Sequence, residues 1–532
     1  WTSSEHIHLI DNKKLFVGGA SGTTDGLEIV HNASDSILND TGTGALKLQL
    51  GGSTKLEITS GGIDVTGAIN VNGSPLSAAP EITSTASGAI AANDPVIVNA
   101  DGTVSKPAVI ASAFGSEQEW ATNESNYCDI CYEPVNNKVV VTYQDRDSSR
   151  RPKCIAGTVD GSNKTITWGN ILSLTNSSSS DDYATYNQIV ATGYNGWCVV
   201  VWHSPYDNNK VKGSAVQTSS SNNDLTKNDS DATHGMSLAL THTYQNSQSQ
   251  GLGIAWDTND GEGNGGMLIR ANTSYTVSVK HIQINSSGSL GIGGSSNDIA
   301  QSDGHRSVAI AFNPDTSTYL TVFGSYDNNR VDARVIYKTG TNVGVNTDTT
   351  DVSGTVGDPN VYDLGYAAVH KKFLLSYEMS NDMFALLLDT NDITTSGGSS
   401  QTFNGATPFT IDNSIKASTM GGQVVFDDDK ECWVVNWKGL NSPSAGYGVY
   451  SIITYDGTSL SKTATADFHA ANTHYPRLCY DPDTKKIILN FKDSGNGDDG
   501  TAIVMVPTYN TLKAKNFIGF AQAGYSNGAT AK

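Results

Sequence analysis

The sequence predicts an all-β chain, a short-stranded N-terminal β-shaft followed by a seven-bladed β-propeller. Three observations carry this. Seven short apolar strands end on an aromatic, at Tyr143, Trp202, Trp256, Phe323, Tyr377, Trp437 and Phe491, spaced by about 54 to 67 residues. Four carry a second aromatic eleven residues earlier, at Tyr132, Phe312, Phe426 and Tyr480, and three of those run into Pro turns: YEPVNNK, FNPDTST and YDPDTKK. Pro presets φ at the second turn position, and Asn and Asp tolerate tight backbone, so each reads as a hairpin loop. A repeat of this length, built of strands and turns, is a propeller blade, and each blade needs neighbours to cover its apolar faces. Third, the 532 residues include 54 Gly and only 16% charged residues, with no long stretch of helical period. That composition suits many short strands joined by polar turns.

Charge and cysteine usage narrow the function classes. The formal net charge is −20, and no basic cluster occurs along the text. Such a surface repels phosphate backbones and anionic membranes, which argues against nucleic-acid binding and membrane insertion. No apolar run approaches the ~20 residues needed to span a bilayer. Six cysteines occur, at 128, 131, 154, 198, 432 and 479. Four lie in or beside predicted inner strands, so they read as reduced core thiols. Cys128-Asp-Ile-Cys131 is a lone CxxC. Zinc would need further ligands, and strand positions three apart face opposite sides.

Four regions follow along the chain. Residues 1–79 hold short alternating strands (LEIVH, LKLQL, KLEIT, INVNG) separated by Gly turns. They bury too little apolar surface to stand alone, which predicts completion by other copies as an interleaved trimer. Residues 80–118 read as a linker and a small hairpin around Ala100-Asp101-Gly102. Residues 119–508 hold the seven blades, and 509–532 form a C-terminal strand and Gly-rich tail. Segments 92–118 and 500–523 flank the ring and are expected to close it. Polar stretches at 286–306 and 217–235 read as projecting insertions, where binding tends to reside.

The N-terminal text DGLEIVHN…SILNDTGTGALKLQ…KLEITSGGIDVTGAINVNG resembles tail-fibre and appendage proteins of marine bacteriophages, those of cyanobacteria and SAR11-type bacteria among them. The flanks NDPVIVNADGTVS (93–105) and NFIGFAQAGYSNGATA (516–531) resemble modules that bracket repeat domains there, and the repeats are similar to propellers found in such proteins. The resemblance rests on style of text rather than on a catalytic signature. It implies a structural virion protein on the extracellular particle, with other virion proteins and a host-surface glycan or protein as partners. In that family the C-terminal module continues past the point where Lys532 stands.

Candidates for chemistry are few. A sialidase-like propeller would carry Asp boxes and an arginine triad. The nearest text, Gly161 to Trp168 (GSNKTITW), lacks the Asp and the Gly in register, and the arginines are scattered. Glycoside hydrolysis needs a carboxylate pair that sequence alone cannot place. Two acidic Gly loops have the oxygen-rich composition of a Ca²⁺ site, one with Asp257, Asn259, Asp260 and Glu262, the other spanning Asp493–Gly500. Solvated blade turns favour the same residues. Asp427-Asp428-Asp429 reads as a plain turn. His6 and His8 alternate on a strand, and on a three-fold axis they would present six imidazoles to iron or nickel; HxH motifs in trimeric phage fibres do this. The repeat aromatics read as core, while Tyr206, Tyr326 and Tyr447 are the candidates for sugar or receptor contact. No P-loop, GxSxG elbow or HExxH occurs.

The expectation is a non-enzymatic virion appendage, such as a tail fibre, with no cofactor beyond the Ca²⁺ candidates. Three copies join through the shaft, and propeller loops touch host glycan with avidity. The competing classes are a glycan-active propeller enzyme, a purely structural capsid or fibre decoration, and a bacterial surface adhesin.

Overall fold

A computed structural model describes residues 12–17, 26–40, 45–59, 62–65, 69–71, 74–76, 84–87, 89–92, 95–98, 102–105, 112–175, 183–228, 236–241, 251–258, 260, 262–263, 265–271, 276–294, 296–300, 305–325, 327–345, 350–353, 357, 359–390, 407–414, 417–441, 444–508, 517–520, 526 and 530–531. Among them the chain is all-β, with no helix. Two compact units form: residues 109–510, and residues 1–108 together with 511–532.

The larger unit contains seven antiparallel sheets of four or five strands among the described residues. Their first strands are Ser125–Glu133, Thr185–Ala191, Leu252–Trp256, His305–Asn313, Pro359–Ala367, Ala417–Asp427 and Thr473–Asp481. Each touches the first strand of the next sheet, and the seventh touches the first, so the sheets form a ring. Side chains lock neighbours together near the axis. Asp129 accepts the Ile189 N–H at 2.9 Å, Ser307 accepts the Val361 N–H at 2.8 Å, Asp363 accepts the Val424 N–H at 3.3 Å, and Gln423 accepts the Leu478 N–H. Each bond gives a partner to an amide on the free edge of a first strand, where no further strand of its own sheet pairs.

In six sheets the repeat aromatic lies two residues from the end of the second strand and is buried: Tyr143, Trp202, Phe323, Tyr377, Trp437 and Phe491. Trp256 breaks that register. It ends a first strand, opposite Gly266 on the second strand Gly266–Ala271. It is therefore the counterpart of Tyr132, Phe312, Phe426 and Tyr480, which explains why no aromatic precedes it by eleven. A Cβ on Gly266 would lie 2.3 Å from the Trp256 ring, so glycine is what admits the indole. Tyr366, packed on Phe373 at 4.8 Å, is a further member of the first-strand set, with no Pro turn after it to mark it in the sequence.

After four of the first-strand aromatics, Tyr132, Phe312, Phe426 and Tyr480, the next residue ties down the turn. Glu133 accepts from the Val135 and Asn136 amides (2.7 and 3.0 Å), Asn313 from Asp315, Asp427 from Asp429 and Lys430, and Asp481 from Asp483 and Thr484. Asp427 is thus a turn residue, buried and hydrogen-bonded. All six cysteines are free thiols, five of them buried. Cys128 and Cys131 pack into different core layers, on opposite faces of their strand. The stretch 286–306 is not a projecting insertion, since Leu290–Ile292 and Asn297–Ala300 are both strands of the third sheet. Its Gly and Ser content hides outer strands that need little apolar surface.

Ring closure uses a narrower segment than the flanks suggest. Ala113–Phe114 and Gln118–Ala121 pair with Asp499–Val506 of the seventh sheet. Pro95–Val98 pairs instead with Val104–Ser105 and Phe517–Phe520, in the smaller unit. Both edges of that strand are taken, so it has none to offer the ring.

The smaller unit is made of small sheets. Lys14–Val17, Leu27–His31 and Ser36–Asp40 form one, Leu46–Leu50, Ser53–Thr59 and Gly62–Val65 another, and Ile69–Val71 pairs with Ser74–Leu76. Apolar side chains stand in solvent on them: Val17 at 53%, Leu38 and Leu48 each at 52%, and Leu50 at 75% exposure. Among the described residues its buried apolar cluster is Ala86, Ile90, Val96 and Val104.

Candidate functional site

A cleft of about 700 Å³ opens at the end of the ring where the first strands begin, across the seventh, first and second sheets. Tyr127 and Tyr475 line its floor, and Tyr186 packs against Tyr127. Tyr127, Tyr186 and Tyr475 each sit at a bulge of a first strand, with φ of 50°, 55° and 51°. Left-handed backbone at a non-glycine residue costs about 1–3 kcal/mol and concentrates at functional sites. Tyr127 stands between the other two, 5.0 Å from Tyr475 and 5.1 Å from Tyr186 between ring centroids.

Two loops raise the walls. The loop after Lys138–Asp145 carries Arg146 and Arg150, with Ser149 and Arg150 both left-handed. The corresponding loop of the second sheet carries Pro205, Tyr206 and Asn209, with Asn208 and Asn209 left-handed. Turns with two left-handed residues follow the strand twist and hold a short loop rigid. Tyr206 is 56% exposed and meets Tyr183 edge-on at 4.9 Å. Arg150 lies over the same Tyr183 ring at 5.6 Å, a cation–π contact.

In a chain of net charge −20 the cleft is locally basic: Arg146, Arg150 and Lys492 line it against one carboxylate, Glu124. Burial alone would raise the Glu124 carboxyl, but hydrogen bonds from Arg146 and Lys492 outweigh it and hold the group below its usual range. Lys492 also bonds Asn126 at 3.0 Å and pairs with Asp498 at 3.2 Å. Arg150 has no carboxylate partner among the described residues. At the rim, burial followed by Lys438 and Lys492 lowers His474 to about 4, so it is neutral near pH 7 and accepts from Lys438 Nζ at 3.0 Å. Burial, then Lys492, brings Lys438 down to about 8.

Further along the first strands, burial raises two carboxyls that the Arg477 charge only partly offsets: Asp129 to about 6 and Asp363 to about 7. Both lie above the usual carboxylate value, so the folded chain holds protons that the unfolded chain releases. This contribution to stability is full below about pH 4 and is lost as pH rises through the folded values. Asp363→Asn keeps an acceptor for the Val424 amide and removes the titration. We expect the variant to melt with the wild type below pH 4.5 and several degrees above it at pH 8, checked by thermal scans at the two pH values.

The candidates named from sequence are dispersed. Tyr206 is in the cleft; Tyr447 is half-buried against the sixth-sheet core; Tyr326 lies outside the described residues. Asp257, Asp260 and Glu262 belong to the first hairpin of the third sheet, at the opposite end of the strands from the cleft. Asp257 occupies the turn position that Glu133 and Asp481 occupy elsewhere, its N–H donating to the Gly265 carbonyl at 2.9 Å. Asp260 pairs with Lys338 at 3.1 Å, and Glu262 lines a separate hollow with Tyr194 and Asn285. Asn259, His6 and His8 lie outside the described residues. In the loop 493–500, Asp498 is bound by Lys492 and Ser494, and Asp493 accepts the Gly495 N–H at 2.8 Å. The tyrosine trio was missed, yet it has a signal: each member stands sixteen residues before a repeat aromatic, Tyr143, Trp202 and Phe491.

Ring and cleft together define an all-β, propeller-type chain with an aromatic, cationic site at one end. No family model matches this sequence, and no curated protein matches it. Among solved structures, the Dos1 propeller is similar over 76% of this chain and 97% of its own, at 11% identity and a TM-score of 0.40. Aleuria aurantia lectin in complex with Fucalpha1-6GlcNAc is similar over 65% and 96%, at 11% identity and 0.39. Trypanosoma rangeli sialidase is similar over 80% and 60%, at 10% identity and 0.35.

Proposed function

We propose that this chain is a host-attachment subunit of a virion appendage, a seven-bladed propeller that binds acidic saccharide in the tyrosine-lined cleft. The observation that carries the reading is the juxtaposition of a tyrosine cluster with Arg150, which has no carboxylate partner among the described residues, in a strongly acidic protein. Aromatic faces pack on the apolar face of a sugar ring, and a guanidinium grips carboxylate or sulfate in a bidentate fork. Carbohydrate pockets need such pre-formed walls, because the ligand offers little apolar area. The trimeric shaft is supported by the exposed leucines and valines of the small N-terminal sheets, which another copy would cover. Binding rather than cleavage is supported by the cleft's lining, where Glu124 is the one carboxylate among the described residues and both its partners are cations. A hydrolase needs a second carboxylate at catalytic distance.

A glycan array carrying matched neutral, uronic-acid and sulfated oligosaccharides tests the reading. Retention of acidic sugars, intact after incubation, is the expected result. Binding to no glycan refutes it, and release of shortened products moves the protein to the enzyme class. The appendage reading has its own test in a cryo-EM map of the particle. Three copies joined through residues 1–79 are expected; a monomer there overturns it.

A further inference from the structure

At the seam of the ring, three side chains from three segments converge outside the cleft. Glu117 stands just before the ring-closing strand, His469 ends Ala466–His469 of the sixth sheet, and Asp493 ends the second strand of the seventh. His469 Nε2 lies 3.3 Å from Asp493 Oδ2 and 3.4 Å from Glu117 Oε1, and all three atoms fall within 4.8 Å of one another. His469 and Asp493 are buried, with side chains 5% and 6% exposed, whereas Glu117 is 53% exposed.

The hydrogen bonding fixes which ring nitrogen faces the carboxylates. Thr473 Oγ1 donates to the Ala471 carbonyl at 3.1 Å, so it accepts from His469 Nδ1–H at 2.9 Å. With Nδ1 taken by Thr473, Nε2 is the ring nitrogen that faces the two carboxylate oxygens. Two carboxylates facing the Nε2 of a buried imidazole need a cation there, either a proton on Nε2 or a metal ion. No lysine or arginine supplies it among the described residues. The equivalent carboxylate of the first sheet, Asp145, is neutralised by Lys153. Phe491, 4.7 Å from the imidazole centroid, holds the ring in place, and the Gly495 amide holds the other oxygen of Asp493.

We propose that Glu117, His469 and Asp493 bind a first-row divalent metal ion, zinc foremost, that clasps the closing strand to the sixth and seventh sheets. Zinc binds imidazole and carboxylate at about 2.0–2.2 Å, and a tetrahedron of that size sets its ligands about 3.3–3.5 Å apart. The two measured separations match. The threonine-backed Nδ1 is the outer-shell support such a histidine uses. Calcium, which wants six to eight oxygens, fits poorly. Two carboxylates and a neutral imidazole cancel the +2 charge, and the exposed Glu117 leaves the fourth position to water.

The test uses the full chain, stripped with EDTA and desalted, titrated with zinc chloride and followed by calorimetry and thermal melting. Wild type is expected to bind one zinc per chain at this site and to melt several degrees higher with zinc, with little response to calcium. Glu117→Gln is surface-exposed and preserves the fold. It is expected to weaken that zinc by at least about tenfold, as even outer-shell changes do, and to lose the thermal shift; His469→Gln is expected to do the same. Equal zinc affinity and equal melting shift in wild type and Glu117→Gln would mean an adventitious ion only and overturn the proposal. So would the absence of any zinc-dependent shift in wild type, or an equal shift with calcium.

Discussion

Trp120→Ala lowers the stability of the propeller by about 3–5 kcal/mol, the cost of removing a buried large aromatic. Trp120 is 4% exposed and lies in Gln118–Ala121, the strand that closes the ring. Its ring meets Tyr143 of the first sheet edge-on at 4.8 Å. On its other side it covers Gly500 of the seventh sheet, where a Cβ would come within 2.4 Å of the indole. The residue therefore seals the joint between first and last sheets, and its loss opens a cavity that neither can fill. Urea unfolding monitored by fluorescence of the remaining tryptophans reads the effect as a lower midpoint with an unchanged slope. Gly500→Ala is expected to destabilise for the complementary reason, overpacking. A change below about 0.5 kcal/mol, typical of a surface position, would mean that this strand does not close the ring.

The second large effect falls on binding and spares the fold. Tyr206→Ala weakens acidic-saccharide binding by at least tenfold, about 1.4 kcal/mol, and Arg150→Ala removes the preference for charged over neutral sugar. Both side chains are exposed, and they share Tyr183 as a platform, so truncation leaves the core untouched. Arg150→Lys restores the charge without the planar fork and is expected to recover only part of the affinity. Because both contact one ring, the double variant should lose less than the sum of the singles. Isothermal titration of the four proteins checks this. Unchanged affinity in Tyr206→Ala, with melting curves superimposed, would place the sugar elsewhere.

The all-β character was legible because Pro turns and period-two apolar strands are local signals, and both survive in the structure. One register was misread. Trp256 matches the repeat in type but sits on a first strand, because the second strand GMLIRA has no aromatic to mark it. The outer strands at 290–292 and 297–300 were illegible since edge strands need little apolar surface, and SLGIGGSSNDIA reads as a loop. The cleft was half legible. Tyr206 stood out as an exposed aromatic, but Arg150 belongs to a short basic run (Arg146, Arg150, Arg151, Lys153) interleaved with Asp145 and Asp147, and nothing local announces the left-handed backbone of Tyr127. The seam was invisible for a further reason: Glu117 and His469 are more than three hundred residues apart, and only ring closure brings them together.

Hydrogen–deuterium exchange with and without a uronic-acid oligosaccharide tests the central claim, that the cleft is the binding site. The account predicts protection within 124–127, 146–150, 183–186, 206–209 and 474–475, abolished in the Arg150→Ala, Tyr206→Ala double variant. Protection confined to the opposite turns, at 133–137, 257–266 and 427–431, or protection that persists in the double variant, would contradict it.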